Sequence, residues 1–156
     1  MKRSISIWTI FFVALIAWAG FVYAQTAAMK TFKLANGQKV FDIGGEWDAV
    51  IANIGVWERY GTYPQLIKIT QTGISFTGVR LKDNPPPSSG KAGEECVRGE
   101  VEKNGIMKIE WIGAIGQILP SDAILSEGGN KIYIEAFGNL VNKDSSKMAK
   151  ISLVRK

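Results

Sequence analysis

The side chains that most often carry out catalysis are scarce in this chain. Its 156 residues include no histidine and a single cysteine, Cys96. Without histidine, the sequence excludes Ser-His-Asp and Cys-His catalysis, His-ligated zinc and histidine-based pH switching. One cysteine cannot form an intrachain disulfide or a multi-thiolate metal site. Acid–base chemistry would therefore depend on carboxylates, lysine or tyrosine.

Close pairs of acidic residues occur at Glu94–Glu95 and at Glu100 and Glu102. In a strand, Glu100 and Glu102 share a face, which is also the arrangement of any two solvent-facing residues two positions apart. Neither the paired glycines nor the Asp/Asn clusters have the spacing of a phosphate or calcium loop. We therefore predict a non-enzymatic protein with no cofactor and no metal site, and a hydrolase or isomerase using carboxylates is the least favoured alternative.

Aromatic residues give the clearest indication of a binding role. Trp47, Trp57, Tyr60 and Tyr63 fall within seventeen residues, around a long connection at 53–64. Tryptophan and tyrosine dominate contacts with ligands and with protein partners. Trp57, Tyr60 and Tyr63 are therefore predicted to line a ligand site, and the alternative, a lid that only packs over the core, stays open.

The elements that must position these residues follow a period of two. In the run 106–112, Met107, Ile109 and Trp111 share a face opposite Lys108 and Glu110, as in a half-buried strand. Runs of this type, several of them separated by Gly-containing turns, predict eight main strands. They lie at 46–51, 66–71, 74–81, 95–102, 106–112, 123–126, 131–137 and 149–154, after a short hairpin at 31–41.

Consecutive hairpins predict an all-β domain built as a single up-and-down antiparallel meander. A meander of about eight strands has two exposed edges, and closure into a barrel removes both. The alternation directs Phe76, Met107 and Trp111 inward, and we predict that they also contact the ligand. Ile109, Ile132 and Ile134 share this inward orientation. A hollow barrel and a barrel filled by its own side chains both remain open.

Three segments interrupt this pattern. Residues 82–93 include three consecutive prolines and are predicted to form a loop, either functional or a tolerated insertion. Residues 109–119 are strongly apolar but contain Gly113 and Gly116, and they are predicted to form a bulged pair of barrel strands. Residues 51–60 have room for a turn or two of helix.

The N-terminus has the composition of an export signal. Lys2 and Arg3 precede an apolar run from Ile5 to Tyr23, and Ala24 is the small residue expected before a cleavage site. Residues 1–24 are predicted to form a helical signal peptide, and residues 25–156 a single domain that is periplasmic or secreted. An uncleaved anchor is the alternative, because nearly twenty apolar residues can span a bilayer of about 30 Å. Membrane contact would then be limited to the leader.

Charge and cysteine content limit the partners. The net charge is +5, and the basic residues are scattered among acidic ones rather than clustered in a stripe, so nucleic acid is not an expected partner. The lone Cys96 indicates a bacterial exported protein rather than a disulfide-rich secreted domain. Burial of Cys96 is the favoured reading, and pairing with another chain, with oligomer formation, stays open.

Two residues carry a resemblance to a known superfamily. Gly45-Glu46-Trp47 opens the first main strand and Arg155 closes the last one. This pairing resembles the calycins, which comprise lipocalins, fatty-acid-binding proteins and avidin-like proteins. The resemblance implies that Trp47 lies at the closed end of a barrel and that Arg155 stacks on its indole, a structural cation–π contact. The eight-run meander over 45–156 agrees with this architecture.

These observations together favour an exported barrel that binds a small, apolar or amphiphilic ligand in its interior or at its mouth. The mouth is predicted to be formed by 53–64 and by the proline-containing loop at 82–93. The alternative from another class is a protein-interaction module, such as an inhibitor or an envelope assembly factor. It would use 82–93 or 112–119 to contact its partner.

Overall fold

The computed structural model describes residues 30–102, 104–126, 128–138 and 146–156. Within them, ten β-strands and one short 3₁₀ helix (Gly55–Tyr60) follow one another along the chain. The strands are β1 (Thr31–Lys33), β2 (Lys39–Phe41), β3 (Gly45–Asn53), β4 (Thr62–Thr72), β5 (Ser75–Arg80), β6 (Glu95–Val101), β7 (Ile106–Ile112), β8 (Ile118–Leu125), β9 (Lys131–Phe137) and β10 (Lys147–Arg155). The predicted signal peptide lies outside the described residues. In the part of the chain that is described, no helix is long and apolar enough to cross a bilayer.

Strands β3 to β10 form a closed antiparallel barrel in which every strand pairs with its neighbour in sequence and β10 returns to pair with β3. The closing pairs run from Ala149 opposite Asn53 to Arg155 opposite Trp47. Strands β1 and β2 form a separate two-stranded sheet. The predicted all-β, closed, eight-strand meander is confirmed, and the predicted short hairpin is present as well.

The interior of the barrel is filled by its own side chains. The six residues predicted to point inward are all buried, among them Phe76 (5 % exposed) and Met107 (2 %). The remaining void in mid-barrel is about 10 Å³, roughly the space of one water molecule. A ligand inside the barrel would therefore have to displace the packed core.

The apolar stretch at 109–119 differs from its predicted form. Strand β7 ends at Ile112, a turn follows, and β8 begins at Ile118, with continuous register from Ile112 opposite Ile118 to Ile106 opposite Ile124. Gly116 has a φ of 80°, a conformation that glycine adopts readily, so it serves the turn rather than a bulge. Among the described residues, register shifts lie instead between β5 and β6 and between β9 and β10.

One end of the barrel is closed by Trp47 and Arg155. Trp47 is fully buried, and its indole N–H donates to the carbonyl of Ile43 at 2.9 Å. The Arg155 guanidinium lies 4.8 Å from the centre of the Trp47 ring and donates to the carbonyls of Gly44 and Asp42. The contact that the calycin resemblance implied is therefore present. It closes the end of the barrel opposite the 3₁₀ helix.

Candidate functional site: a cavity at the barrel mouth

The other end of the barrel contains a cavity of about 80 Å³. It lies where β3, β5 and β7 end and where β4 and β8 begin, so that side chains from distant parts of the sequence meet there. The connections that cover it are the 3₁₀ helix, the loop at 81–94 and the turn at 113–117. Its lining residues are Ile51, Asn53, Trp57, Tyr60, Tyr63, Arg80, Pro87, Ser88, Ser89, Trp111, Gly113, Ala114, Ile115 and Gln117.

Four aromatic side chains form the wall of this cavity. Trp57 and Tyr60 come from the 3₁₀ helix, Tyr63 from the start of β4 and Trp111 from the end of β7. The helix places Trp57 through a hydrogen bond from its backbone N–H to the carbonyl of Ile54 at 3.1 Å. Arg59 lies over the ring of Tyr60 at 4.9 Å. The predicted helical turn within 51–60 thus carries two of the predicted site residues.

The structure divides the predicted ligand-contacting residues into two groups. Trp57, Tyr60, Tyr63 and Trp111 meet at the mouth cavity. Phe76 and Met107 instead surround the small void deeper in the barrel. Since both are almost fully buried, they belong to the packed core beneath the site and do not reach the mouth cavity.

The proline-containing loop is held against the barrel by Asn84, which is 8 % exposed. The Asn84 side chain accepts a hydrogen bond from Gln65 at 2.6 Å and donates to the hydroxyls of Tyr63 at 3.2 Å and Ser88 at 2.8 Å. Its backbone N–H donates to the carbonyl of Gly90 at 2.7 Å. One buried amide therefore links the loop to the aromatic wall and fixes one rim of the cavity.

The most buried charge at the mouth is Arg80, which is 3 % exposed and lines the cavity. Its guanidinium donates to the carbonyl of Glu95 on β6 at 3.0 Å and to that of Ile112 on β7 at 2.7 Å. Glu94 provides a carboxylate oxygen at 3.5 Å, on a side chain that is 48 % exposed. None of the described residues that line the cavity is acidic.

Two further observations bear on chemistry near the mouth. Burial raises the pKa of the Cys96 thiol from 9.0 to about 12, with the Arg80 charge opposing the rise and Glu95 adding to it. Such a thiol is a poor nucleophile, since reactivity belongs to the thiolate.

No cluster of three potential metal ligands occurs among the residues in the described ranges.

Arg80 was not predicted as a site residue, although the alternation of inward-facing residues along β5 indicated it. Alternation carried from the inward-facing Phe76 through Gly78 places Arg80 on the same face of β5, and all three are buried. Of the polar lining residues, Asn53, Ser88 and Ser89 lie in the segments 53–64 and 82–93 that were predicted to form the mouth but were not named individually, and Gln117 was missed. They reach the cavity from a strand end and from loops, where period-two reasoning does not apply.

Comparisons of the chain with protein-family models, with curated proteins and with solved structures found no match. The closed eight-strand barrel is compatible with a calycin-like architecture.

Proposed function

We propose that this protein is an exported, non-catalytic β-barrel that binds a small, flat and partly apolar ligand at its mouth. The observation that supports this most directly is the aromatic-walled cavity above a filled interior. Trp57, Tyr60, Tyr63 and Trp111 would cover the faces of the ligand, because aromatic rings bury large area and stack on planar groups. Export is inferred from the composition of residues 1–24.

The size of the cavity limits the ligand. A volume of about 80 Å³ is room for on the order of six water molecules, well below the roughly 300 Å³ at which pockets for drug-sized molecules begin. The ligand is therefore a compact molecule or one compact group of a larger molecule that extends into solvent.

Native mass spectrometry of the protein purified from its own host tests the proposal, because a retained ligand appears as added mass.

A titration with benzamide, a small neutral planar probe, shows where the ligand binds when it is monitored by ¹H–¹⁵N NMR. We expect shifts concentrated at the indole signals of Trp57 and Trp111, and an affinity reduced at least about fivefold by Trp57→Ala. Tyr133→Ala is the matched control, since Tyr133 is an aromatic residue half exposed on the outer face of β9. Equal weakening by both substitutions, or shifts spread over the outer face, would contradict the proposal.

The protein-interaction alternative is supported by exposed apolar residues around the same mouth. Val56 is 73 % exposed and Ile115 is 77 % exposed, and Ile115 lies in the predicted contact segment 112–119. Replacing both with aspartate would abolish recovery of a protein partner from the host's envelope fraction. Under the ligand proposal, Val56→Asp alone, at an exposed residue outside the cavity lining, retains benzamide binding.

A further inference from the structure

We propose that the ligand bound at the mouth is an anion, most simply a small carboxylate on a planar or apolar body, and that Arg80 holds its charged group. This inference rests on the proposed binding function and specifies the class of ligand. The observation behind it is an unusual placement: Arg80 is only 3 % exposed, yet it borders the cavity.

The hydrogen bonds of Arg80 go to neutral acceptors and do not compensate its positive charge. Both backbone carbonyls that it contacts, those of Glu95 and Ile112, are neutral acceptors. A guanidinium has five N–H donors in a fixed planar fork, and the two carbonyls occupy only two of them. Neutral acceptors orient the group without compensating its positive charge, and a buried charge is costly unless it is paired.

The one carboxylate that pairs with Arg80 among the described residues gives incomplete compensation. Glu94 lies at 3.5 Å, its side chain is 48 % exposed, and an oxygen of the same carboxylate accepts a hydrogen bond from the backbone N–H of Lys91 at 2.8 Å. Solvent screens an exposed carboxylate, so the pair contributes little. An anion that enters the cavity would approach the same guanidinium with less screening.

The surroundings of Arg80 match a carboxylate joined to a flat body. Arginine forms paired, charge-assisted hydrogen bonds with carboxylates, and these are stronger than neutral ones. The aromatic wall would cover the rest of the molecule, and no acidic lining residue would repel it. The cavity size restricts the class to compact acids or to a terminal carboxylate.

A purely structural role for Arg80 is the competing explanation. By bonding to carbonyls on β6 and β7, its side chain ties the mouth ends of three strands together. That role predicts no dependence of ligand affinity on ligand charge, whereas anion binding predicts a strong one. The difference is measurable with a matched pair of probes.

Benzoate and benzamide have nearly the same shape and differ in charge. With the wild-type protein, we expect benzoate to bind at least about tenfold more tightly than benzamide by NMR titration, since hydrogen bonds to charged groups are the stronger class. In Glu94→Gln, which removes the competing carboxylate, benzoate affinity rises about threefold and benzamide affinity is unchanged. Glu110→Gln is the matched control: Glu110 is 47 % exposed and pairs with Arg98 on the barrel exterior, so it should alter neither affinity.

The other outcomes of the two titrations distinguish failure of the anion inference from failure of the proposed function. Equal affinities for the two probes at the mouth would overturn the anion inference and leave the proposed binding site intact. Absence of both probes from the mouth would overturn the proposed function together with the inference. Arg80→Gln should remove the preference for benzoate, so that benzoate and benzamide bind with equal affinity. If that variant does not fold, the comparison of Glu94→Gln with Glu110→Gln decides the question, because both substituted side chains are half exposed.

Discussion

At the scale of single residues, two arginines at opposite ends of the barrel illustrate how surroundings define a role. Arg155 and Arg80 each donate to two backbone carbonyls. The face of Arg155 is covered by the Trp47 ring, and Arg155 lines neither the mouth cavity nor the mid-barrel void. Arg80 borders an open volume of about 80 Å³. The same side chain therefore closes one end and offers a positive charge at the other.

The buried thiol of Cys96 should make the stability of the protein depend on pH. Its thiol is buried, it donates to the carbonyl of Gly78 at 3.4 Å, and burial raises its pKa to about 12. The native state thus holds this proton at pH values where the unfolded chain releases it, and stability falls as pH rises from 9 toward 12. Compared with Cys96→Ala, the wild type should lose up to about 4 kcal/mol more over that range, measured by urea denaturation at several pH values.

The same thiol should resist alkylation in the native protein at pH 8 and react fully once urea unfolds the chain. Parallel stability curves for wild type and Cys96→Ala between pH 9 and 12 would show that the thiol does not titrate in this way.

At the scale of elements, close contact between neighbouring strands depends on residues without side chains. A Cβ added at Gly99 on β6 would lie 2.1 Å from the carbonyl oxygen of Lys108 and 2.9 Å from the Cα of Ile109, both in the backbone of β7. These backbone atoms are held in the sheet and cannot change position as a flexible side chain can. Strands β6 and β7 would have to separate locally to accept any larger residue.

Gly99→Ala should therefore destabilise the barrel by about 2–3 kcal/mol, the upper range for overpacking, as measured by urea denaturation. Gly44→Ala is the matched control, because its added Cβ would meet a side-chain atom, Asp42 Oδ1, at 3.2 Å rather than backbone at a shorter distance, and it should cost less than about 1 kcal/mol. Similar costs at the two positions would mean that the β6–β7 spacing adapts easily.

At the scale of the whole molecule, the packed core and the candidate binding site lie at different positions along the barrel axis. The closed end and the middle are packed, with Trp47 fully buried and a residual void of about 10 Å³. The mouth has the cavity, the 3₁₀ helix and the loop anchored by Asn84. Substitutions should therefore divide by position: those at the closed end alter folding and those at the mouth alter ligand affinity.

Two tryptophans test this separation. Trp47→Ala should cost about 3–5 kcal/mol of unfolding free energy, the usual range for a buried aromatic residue. Trp57→Ala should cost no more than about 1 kcal/mol, because Trp57 is half-buried at the mouth. Urea denaturation of both variants provides the comparison. A Trp57 cost as large as that of Trp47 would instead identify the helix as a lid that stabilises the core.

Local regularities made much of the fold predictable. Alternation located the eight barrel strands and the burial of Met107 and Trp111, and the Asn104-Gly105 pair marked a hairpin, with Gly105 at φ 79°. The two errors have different causes. The turn at 113–117 was predicted as a bulge because apolar residues such as Ile115 do not indicate a turn, yet Ile115 is 77 % exposed. Phe76 was assigned to the site because the pattern defines the inward face but not depth along the axis.

The amino-acid sequence by itself determined the all-β meander and excluded chemistry that needs histidine, because period-two patterning and composition are properties of neighbouring residues and of counts. Only the tertiary structure decided that the barrel is filled, that four of the predicted aromatic residues line one cavity, and that Arg80 is buried beside them. Those features arise where strand ends far apart in the chain meet after closure. The volume left between such side chains depends on three-dimensional packing, which no local pattern records.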